Sequence, residues 1–547
     1  MLLALAAAAA LLPFVSLGHP LWEVDDARYA EVPREMVERG DWLTPRLDYL
    51  DYVEKPPLPY WLTCVSYSVF HVSEASARLP LALWALAALA GTATLGAWLF
   101  GAEIGLASAL ILATTAAFLG LSHVLTPDLP LSAALVWTMA LWLRAMRRPE
   151  DAPWASAAAG ACMALAVLCK GLVGVVFPVA WTAALALMFA ELRPGYKRSL
   201  SGWLLPLFLL IAAPWFLLME RVHPGFFRFF FGEQHFQRFL SGAAKYRRYG
   251  PWWYFFPVDL AATLPWTPAL VAAALALIRP GERGAPPPDL RLARQLGLWV
   301  LGVFAFFSLS SSKLPTYIMP LMPQQAVLAA WLLLRAEGAP QSWVRGLAFG
   351  LGIVLALALP ALGPALARVE GAPLPAAAVR LAVAALGCMA AATLALTSSQ
   401  PRRRLALGAA GAAAAALLAF AGTAAVTPWL SAKPIAEAIA AERKAGDRVL
   451  SYGVYLHGLA FYTRAPVDVA NWVGELHYAK RDPANAGRFG DDETIRALPD
   501  NGHRAFVAFR SKEAPWLTSL ARPGHLLRMR GFGPWALAEF SAPKQGR

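Results

Sequence analysis

Apolar runs of close to twenty residues recur along most of the chain, each long enough to cross the roughly 30 Å hydrocarbon layer of a bilayer as a helix. Nothing else constrains the fold as strongly, because backbone in hydrocarbon must satisfy its own N–H and C=O groups. The runs fall near residues 1–18, 79–100, 104–121, 129–145, 153–169, 171–192, 202–219, 258–278, 296–311, 317–334, 346–368, 376–397 and 404–428, thirteen in all. With 547 residues and 58% apolar side chains, the chain is expected to be a polytopic α-helical membrane protein. A net charge of +13 would suggest nucleic acid in a soluble protein, but here the excess lies largely in short loops and reads as topology.

Those loops sort into two sets. Arg144, Arg147 and Arg148, then Arg193, Lys197 and Arg198, Arg279 to Arg294, Arg335 and Arg345, and Arg402 to Arg404 fall on one side, which the positive-inside rule makes cytoplasmic. The other side receives the first loop (19–78), the turn TPDLP at Thr126–Pro130, the aromatic segment Glu220–Pro257, SSSKLPTY at Ser310–Tyr317 and the C-terminus. Residues 1–430 read as the membrane domain. Residues 431–547, with helical Pro434–Lys444 and β-like Arg448–Tyr455 and His503–Phe509, read as an extracytoplasmic α/β domain. LPYWLTCVSYSVF at Leu58–Phe70 is short and aromatic, and is expected to lie in the interface. The first run has no basic residue before it and no A-x-A site before His19, so it fits a spanning helix better than a signal peptide, with the natural start expected upstream of Met1. Cys64, Cys162, Cys169 and Cys388 show no metal spacing and read as small apolar fillers.

The first loop carries the densest chemistry. Asp25 and Asp26 emerge directly after an apolar run, and Asp128 lies in the short TPDLP turn; carboxylates at such boundaries can orient an acceptor, take its proton or hold a cation. For Asp128 the competing reading is an N-cap of the following helix. Arg28, Lys55, Arg238, Lys245, Arg247, Arg248 and Lys313 place cations on the outward side, where guanidinium forks and ammonium groups suit a lipid phosphate, or simply pair with Glu31, Glu35 and Asp41. His235 with Glu54 offers a loose divalent-metal pair, set against hydrogen-bonded packing of His235 among aromatics. Tyr52, Tyr60 and Tyr317 can stack on a sugar or anchor the interface. No G-x-x-x-x-G-K-[ST] or H-E-x-x-H string occurs, which argues against nucleotide-driven pumping and zinc proteolysis.

VDDARYAEVPREM, GDWLTPRL, EKPPLPYWL, TPDLP and KLPTYIMPLMP, spread over residues 22–323, resemble the GT-C polyprenyl-phosphate glycosyltransferases, and among them the bacterial 4-amino-4-deoxy-L-arabinose lipid A transferases. The resemblance implies thirteen spans with a C-terminal periplasmic domain, and transfer of aminoarabinose from undecaprenyl phosphate to a lipid A phosphate at the periplasmic face of the inner membrane. By lowering lipid A charge, such transfer promotes polymyxin resistance. It implies catalytic roles for Asp25 and Asp128, Lys55 at the donor phosphate, and Arg28 and Tyr52 lining the cavity, with His235 in an EHxQRF-like segment that here reads GEQHFQRF. Arg238, Arg247, Lys313 and Tyr317 complete the expected donor-binding set, no cofactor beyond a metal is expected, and the protein is expected to be a monomer. The rival readings are a GT-C enzyme moving another sugar to a protein or glycan, and a prenyl-phosphate transporter without chemistry.

Overall fold

A computed structural model describes the chain except residues 201, 238–249, 280–286, 336–338, 367, 370–371, 500–502 and 542–547. Among the described residues, nine helices are long and apolar enough to cross a membrane. They coincide with nine of the thirteen runs. The other four runs are broken, each for a local reason. Residues 1–18 form Leu2–Ala9 and a 3-10 turn Leu12–Phe14 around Pro13. The run 104–121 stops at Ala113, where the Thr114 and Thr115 hydroxyls donate back to the Leu110 and Ile111 carbonyls, and resumes at Ala116–Leu121. Residues 171–192 form Val173–Met188, bent by 118° from the segment Ala190–Leu200. The run 258–278 divides into Phe255–Ala262 and Thr267–Ile278 on either side of Pro265, which has no N–H to continue a helix. The protein is a multi-pass membrane protein.

The loop after the first apolar segment folds rather than trailing in solvent. Helix α1 (Asp25–Arg39) begins with two acids and ends at Gly40, whose φ of +67° closes the helix in the left-handed region. Its charges lie against protein: the Arg34 guanidinium donates to both oxygens of buried Glu31, at 2.7 and 2.6 Å. A two-residue hairpin follows, β1 (Arg46–Leu47) against β2 (Leu50–Asp51), with Asp48 and Tyr49 both at φ 60°, as a primed turn requires. Helix α2 (Leu58–Phe70) buries Tyr60, Cys64 and Tyr67 against α1 while Val65, Val69 and Phe70 stay exposed, so one apolar face is left bare. The Tyr67 hydroxyl donates to the Ala30 carbonyl at 3.1 Å.

Helix α3 (Glu74–Phe100) opens with a capping box at Ser73. Helices α4 (Asp128–Arg147) and α5 (Ala152–Lys170) run side by side, and α4 is buried along almost its whole length. The first residue of this central helix is Asp128.

Helix Pro401–Leu430 leads into the C-terminal unit, a six-stranded mixed sheet. Its strands are β3 (Arg448–Tyr452), β4 (Asp468–Ala470), β5 (Phe489–Gly490), β6 (Ala505–Arg510), β7 (Leu526–Phe532) and β8 (Trp535–Phe540), in the order β5-β4-β3-β6-β8-β7. The first four are mutually parallel, and β8 pairs antiparallel with β6 and β7. Helix α6 (Gly458–Thr463) packs on α1 and docks the sheet unit on the first loop. Buried Asp48, in the hairpin turn, accepts the Val467 N–H at 2.8 Å and pairs with Arg488 at 3.0 Å.

Candidate active site

Asp25 and Asp26 are adjacent in sequence but point about 100° apart on a helix. Asp26 turns inward and is fully buried. Arg78 of α3 pairs with it, and the N–H groups of Trp22 and Leu125 donate to its two oxygens at 3.0 and 2.9 Å. Arg78 also donates to the carbonyls of Leu17, His19 and Pro20. Asp26 therefore ties the first loop to α3 and to the turn before α4, with both oxygens engaged. Asp25 keeps 43% of its side chain exposed and pairs with Arg28.

Asp128 is nearly buried at the first turn of α4, and its side chain caps no helix N–H. It pairs instead with Lys170, the last residue of α5. The Lys170 ammonium also lies 4.5 Å from the centre of the Tyr317 ring. Gly171 follows with φ +81°, and a Cβ there would stand 2.5 Å from His235 Nε2, so glycine is needed both for the turn and for the approach of that ring.

Between the two acids lies a group of tyrosines. Tyr29 stacks on Tyr60 with ring centres 5.7 Å apart and carries the Arg28 guanidinium 5.2 Å above its own ring. Asp25, Glu54 and Asp128 all act electrostatically on the Tyr29 phenol. Burial pushes the phenols of Tyr29, Tyr52 and Tyr60 well above their usual value, so all three stay protonated as hydrogen-bond donors. The Tyr52 and Tyr60 hydroxyls and Arg28 Nε are buried without a hydrogen-bond partner among the described residues. Such groups are rare in proteins and mark a place where a polar ligand or water belongs. Glu54 lies 3.9 Å from the Lys55 ammonium and 3.6 Å from His477 of the C-terminal unit. A narrow cleft lined by Tyr29, Tyr60, Trp84, Leu125 and Thr126 opens beside the tyrosines. It shares Pro80 and Trp84 with a larger apolar groove of about 360 Å³ between α2 and α3.

Asp25, Arg28, Tyr52, Glu54 and Asp128 thus gather in one region, with Lys55 beside Glu54 and Tyr317 against Lys170. Lys313 does not join them: its ammonium donates to the carbonyls of Phe307, Ser308 and Ser310 at 3.2, 2.6 and 2.7 Å, closing the end of helix Pro288–Leu309. His235 does not pair with Glu54 as a metal site. Its Nδ1 lies 2.7 Å from the Phe230 carbonyl and its Nε2 accepts the Leu172 N–H at 3.3 Å, which uses both ring nitrogens on backbone. No three His, Cys, Asp or Glu side chains among the described residues form a metal-binding group. Arg238 and Arg247, with Lys245 and Arg248, lie outside the described residues.

Sequence reading missed two groups. Lys170 was hidden in the junction of two apolar runs; its signal was a lone cation on the outward side, against the charge bias of the loops. Glu475, His457 and His477 come from a C-terminal region with no motif, more than 400 residues from the first-loop residues they meet.

Residues 54–217 match the family model for dolichyl-phosphate-mannose-protein mannosyltransferases, a stretch that includes Glu54, Lys55, Asp128 and Lys170. An undecaprenyl phosphate-α-4-amino-4-deoxy-L-arabinose arabinosyl transferase of Pseudomonas fluorescens is 32% identical over 326 residues, 58% of this chain and 54% of that protein. A transferase of the same description from Serratia proteamaculans is 31% identical over 331 residues, 57% of this chain and 55% of its own. The chain thus spans about half the length of these curated relatives. The crystal structure of ArnT from Cupriavidus metallidurans bound to undecaprenyl phosphate matches with a TM-score of 0.82 and 27% identity, covering 100% of this chain and 99% of that one. The chain is similar to these aminoarabinose transferases in sequence and in fold. An oligosaccharyltransferase, AglB from Archaeoglobus fulgidus, shares the fold at a TM-score of 0.51 and 13% identity, covering 95% of this chain and 71% of that one. The resemblance first seen in five short strings therefore extends to the whole fold, including the C-terminal sheet.

Proposed function

We propose that this protein transfers 4-amino-4-deoxy-L-arabinose from undecaprenyl phosphate to a phosphate of lipid A at the periplasmic face of the bacterial inner membrane. In this reading the thirteen apolar runs, broken ones included, make up a membrane domain of residues 1–430, and residues 431–547 form a periplasmic domain on a monomer. One observation carries it: carboxylates, cations and unpartnered phenols converge at Asp25, Arg28, Tyr52, Glu54, Lys55, Asp128 and Lys170, in a chain that matches along its length a structure with undecaprenyl phosphate bound.

An acceptor phosphate oxygen attacks C1 of the sugar, the C1–O bond to the prenyl phosphate breaks, and its electron pair leaves with that phosphate. Lys55 and Arg28 meet the charge that develops on the leaving group. The phenols of Tyr52 and Tyr60 donate to sugar or phosphate oxygens, and the groove between α2 and α3 takes hydrocarbon. An anionic acceptor needs no strong base, so Asp25 orients the reactants and Asp128, fixed by Lys170, shapes the sugar pocket. No step runs through a metal, and Lys313 has no part in it.

Purified protein given lipid A and synthetic undecaprenyl-phosphate aminoarabinose is expected to raise the lipid A mass by one sugar unit, and Asp25→Ala and Lys55→Ala to abolish the increase. A folded wild-type protein that leaves lipid A unchanged would refute the proposed substrates. The mannosyltransferase match favours a second reading, transfer of another prenyl-linked sugar to a hydroxyl on protein or glycan. A hydroxyl acceptor would make Asp25 an obligatory base. A transporter would move the donor between leaflets without consuming it.

A further inference from the structure

The C-terminal unit reaches the first loop through one short turn. The 3-10 segment Gly474–His477 follows Trp472, and its glycine sits at φ +43° where a Cβ would stand 1.8 Å from the Trp472 ring. The turn presents Glu475 to Arg28 and His477 to Glu54, so one element of the sheet unit touches both the VDDAR and the EKPP strings. Glu475 Oε1 accepts from Arg28 Nη1 at 2.7 Å and lies 2.8 Å from His457 Nε2. Buried His457 is held in turn by Glu23, which accepts the N–H groups of His457 and Gly458, both at 2.8 Å. The result is a continuous chain of contacts, Glu23 to His457 to Glu475 to Arg28 to Asp25, in which acids and bases alternate and two members come from the C-terminal unit.

This chain of contacts determines how Arg28 faces the site. A guanidinium paired with Asp25 alone could turn about that contact, because one ion pair fixes one edge of a planar fork. Glu475 takes a second edge, the Tyr29 ring lies under the face, and Nε is left buried without a partner among the described residues beside Tyr52 and Tyr60. We propose that Glu475 is a positioning residue for donor binding: it locks Arg28 so that its unpartnered edge meets a phosphate, and it makes the C-terminal sheet unit a working part of the transfer site. This rests on the donor reading given above.

The test uses the full-length protein and undecaprenyl phosphate itself as the probe, with transfer measured in parallel. Glu475→Gln is expected to weaken undecaprenyl phosphate binding about tenfold, the usual order for removal of a residue that orients a ligand-contacting group. It should raise the donor KM more than it lowers kcat, with Glu475→Asp recovering most of the loss. In an Arg28→Gln background the same change should add nothing, because Glu475 acts through Arg28. Unaltered binding in Glu475→Gln would overturn the proposal. So would additive losses in the double variant, or a fall in thermal midpoint with normal binding per folded molecule. If wild type binds the probe yet transfers no aminoarabinose, the sugar or acceptor is wrong, while the binding comparison still decides the role of Glu475.

Discussion

At the residue scale, two neighbouring aspartates have opposite duties. Asp26 and Arg78 are both fully buried, so removing either partner strands a charge inside the protein, at a cost of roughly 3–5 kcal/mol. Arg78→Gln should therefore lower the thermal midpoint and the yield of folded protein. Asp25 is half open to solvent, so Asp25→Asn should leave the midpoint nearly unchanged while cutting transfer by about a hundredfold or more. A folded Asp25→Asn protein with full transfer would remove Asp25 from the mechanism. Lys170 separates two further possibilities. Because its ammonium reaches both Asp128 and the Tyr317 ring, Lys170→Gln should abolish most transfer; Lys170→Arg should not restore it fully, since a planar fork cannot take the place of a compact ammonium. Rates near wild type for Lys170→Gln would show Asp128 to be structural.

At the element scale, the legible and illegible parts divide by the range of the forces involved. The long apolar helices follow from local composition, and so do the strands Arg448–Tyr452 and Ala505–Arg510, whose β-like runs stand out in polar surroundings. The helix Leu58–Phe70 is readable for the same reason. The breaks are not, because an apolar count is blind to two threonines that bond back to their own helix or to a proline between equally apolar halves. Asp25, Glu54 and Lys55 stand out in the sequence because they sit in dense strings. Their partners do not, because Glu475, His457 and Lys170 become informative only when distant segments meet. The turn Gly474–His477 is the sharpest case. A Cβ at residue 474 would overlap the Trp472 ring, so Gly474→Ala should shift the turn and detach Glu475 from Arg28. Donor binding should fall as in Glu475→Gln, and a Gly474→Ala protein that binds undecaprenyl phosphate normally would show the turn to be replaceable.

At the scale of the whole molecule, the sheet unit is fastened to the first loop by charges that set a pH window. Burial alone would lower the His457 imidazolium, but Glu475 and Glu23 outweigh it and raise it to about 9. Arg28 stands beyond Glu475, and the Tyr455 and Trp472 rings complete its surroundings. Burial would likewise raise the Glu475 carboxyl, but His457 and Arg28 hold it well below the usual range. Burial raises Asp48 to about 8, with Arg488 opposing the shift. A base whose folded pKa is raised stabilises fully below its unfolded value, here 6.5, and loses that contribution as pH climbs to about 9. The raised Asp48 acts in the same direction but is finished near pH 8. The depressed Glu475 adds stability above its unfolded value of 4.5 and loses it in acid. Because Asp48 begins to lose its contribution above its unfolded value of 3.8 while Glu475 has gained its own by 4.5, attachment of the sheet unit should be tightest near that narrow interval and weaken steadily above it, with His457 adding a slope of about 1.4 kcal/mol per pH unit that persists to about pH 9. The thermal midpoint of full-length protein should fall from about pH 8 to about pH 9, and His457→Gln should flatten the fall. An equal slope in the variant would mean that some other group, and not the His457 ring, governs how the C-terminal unit is held over the site.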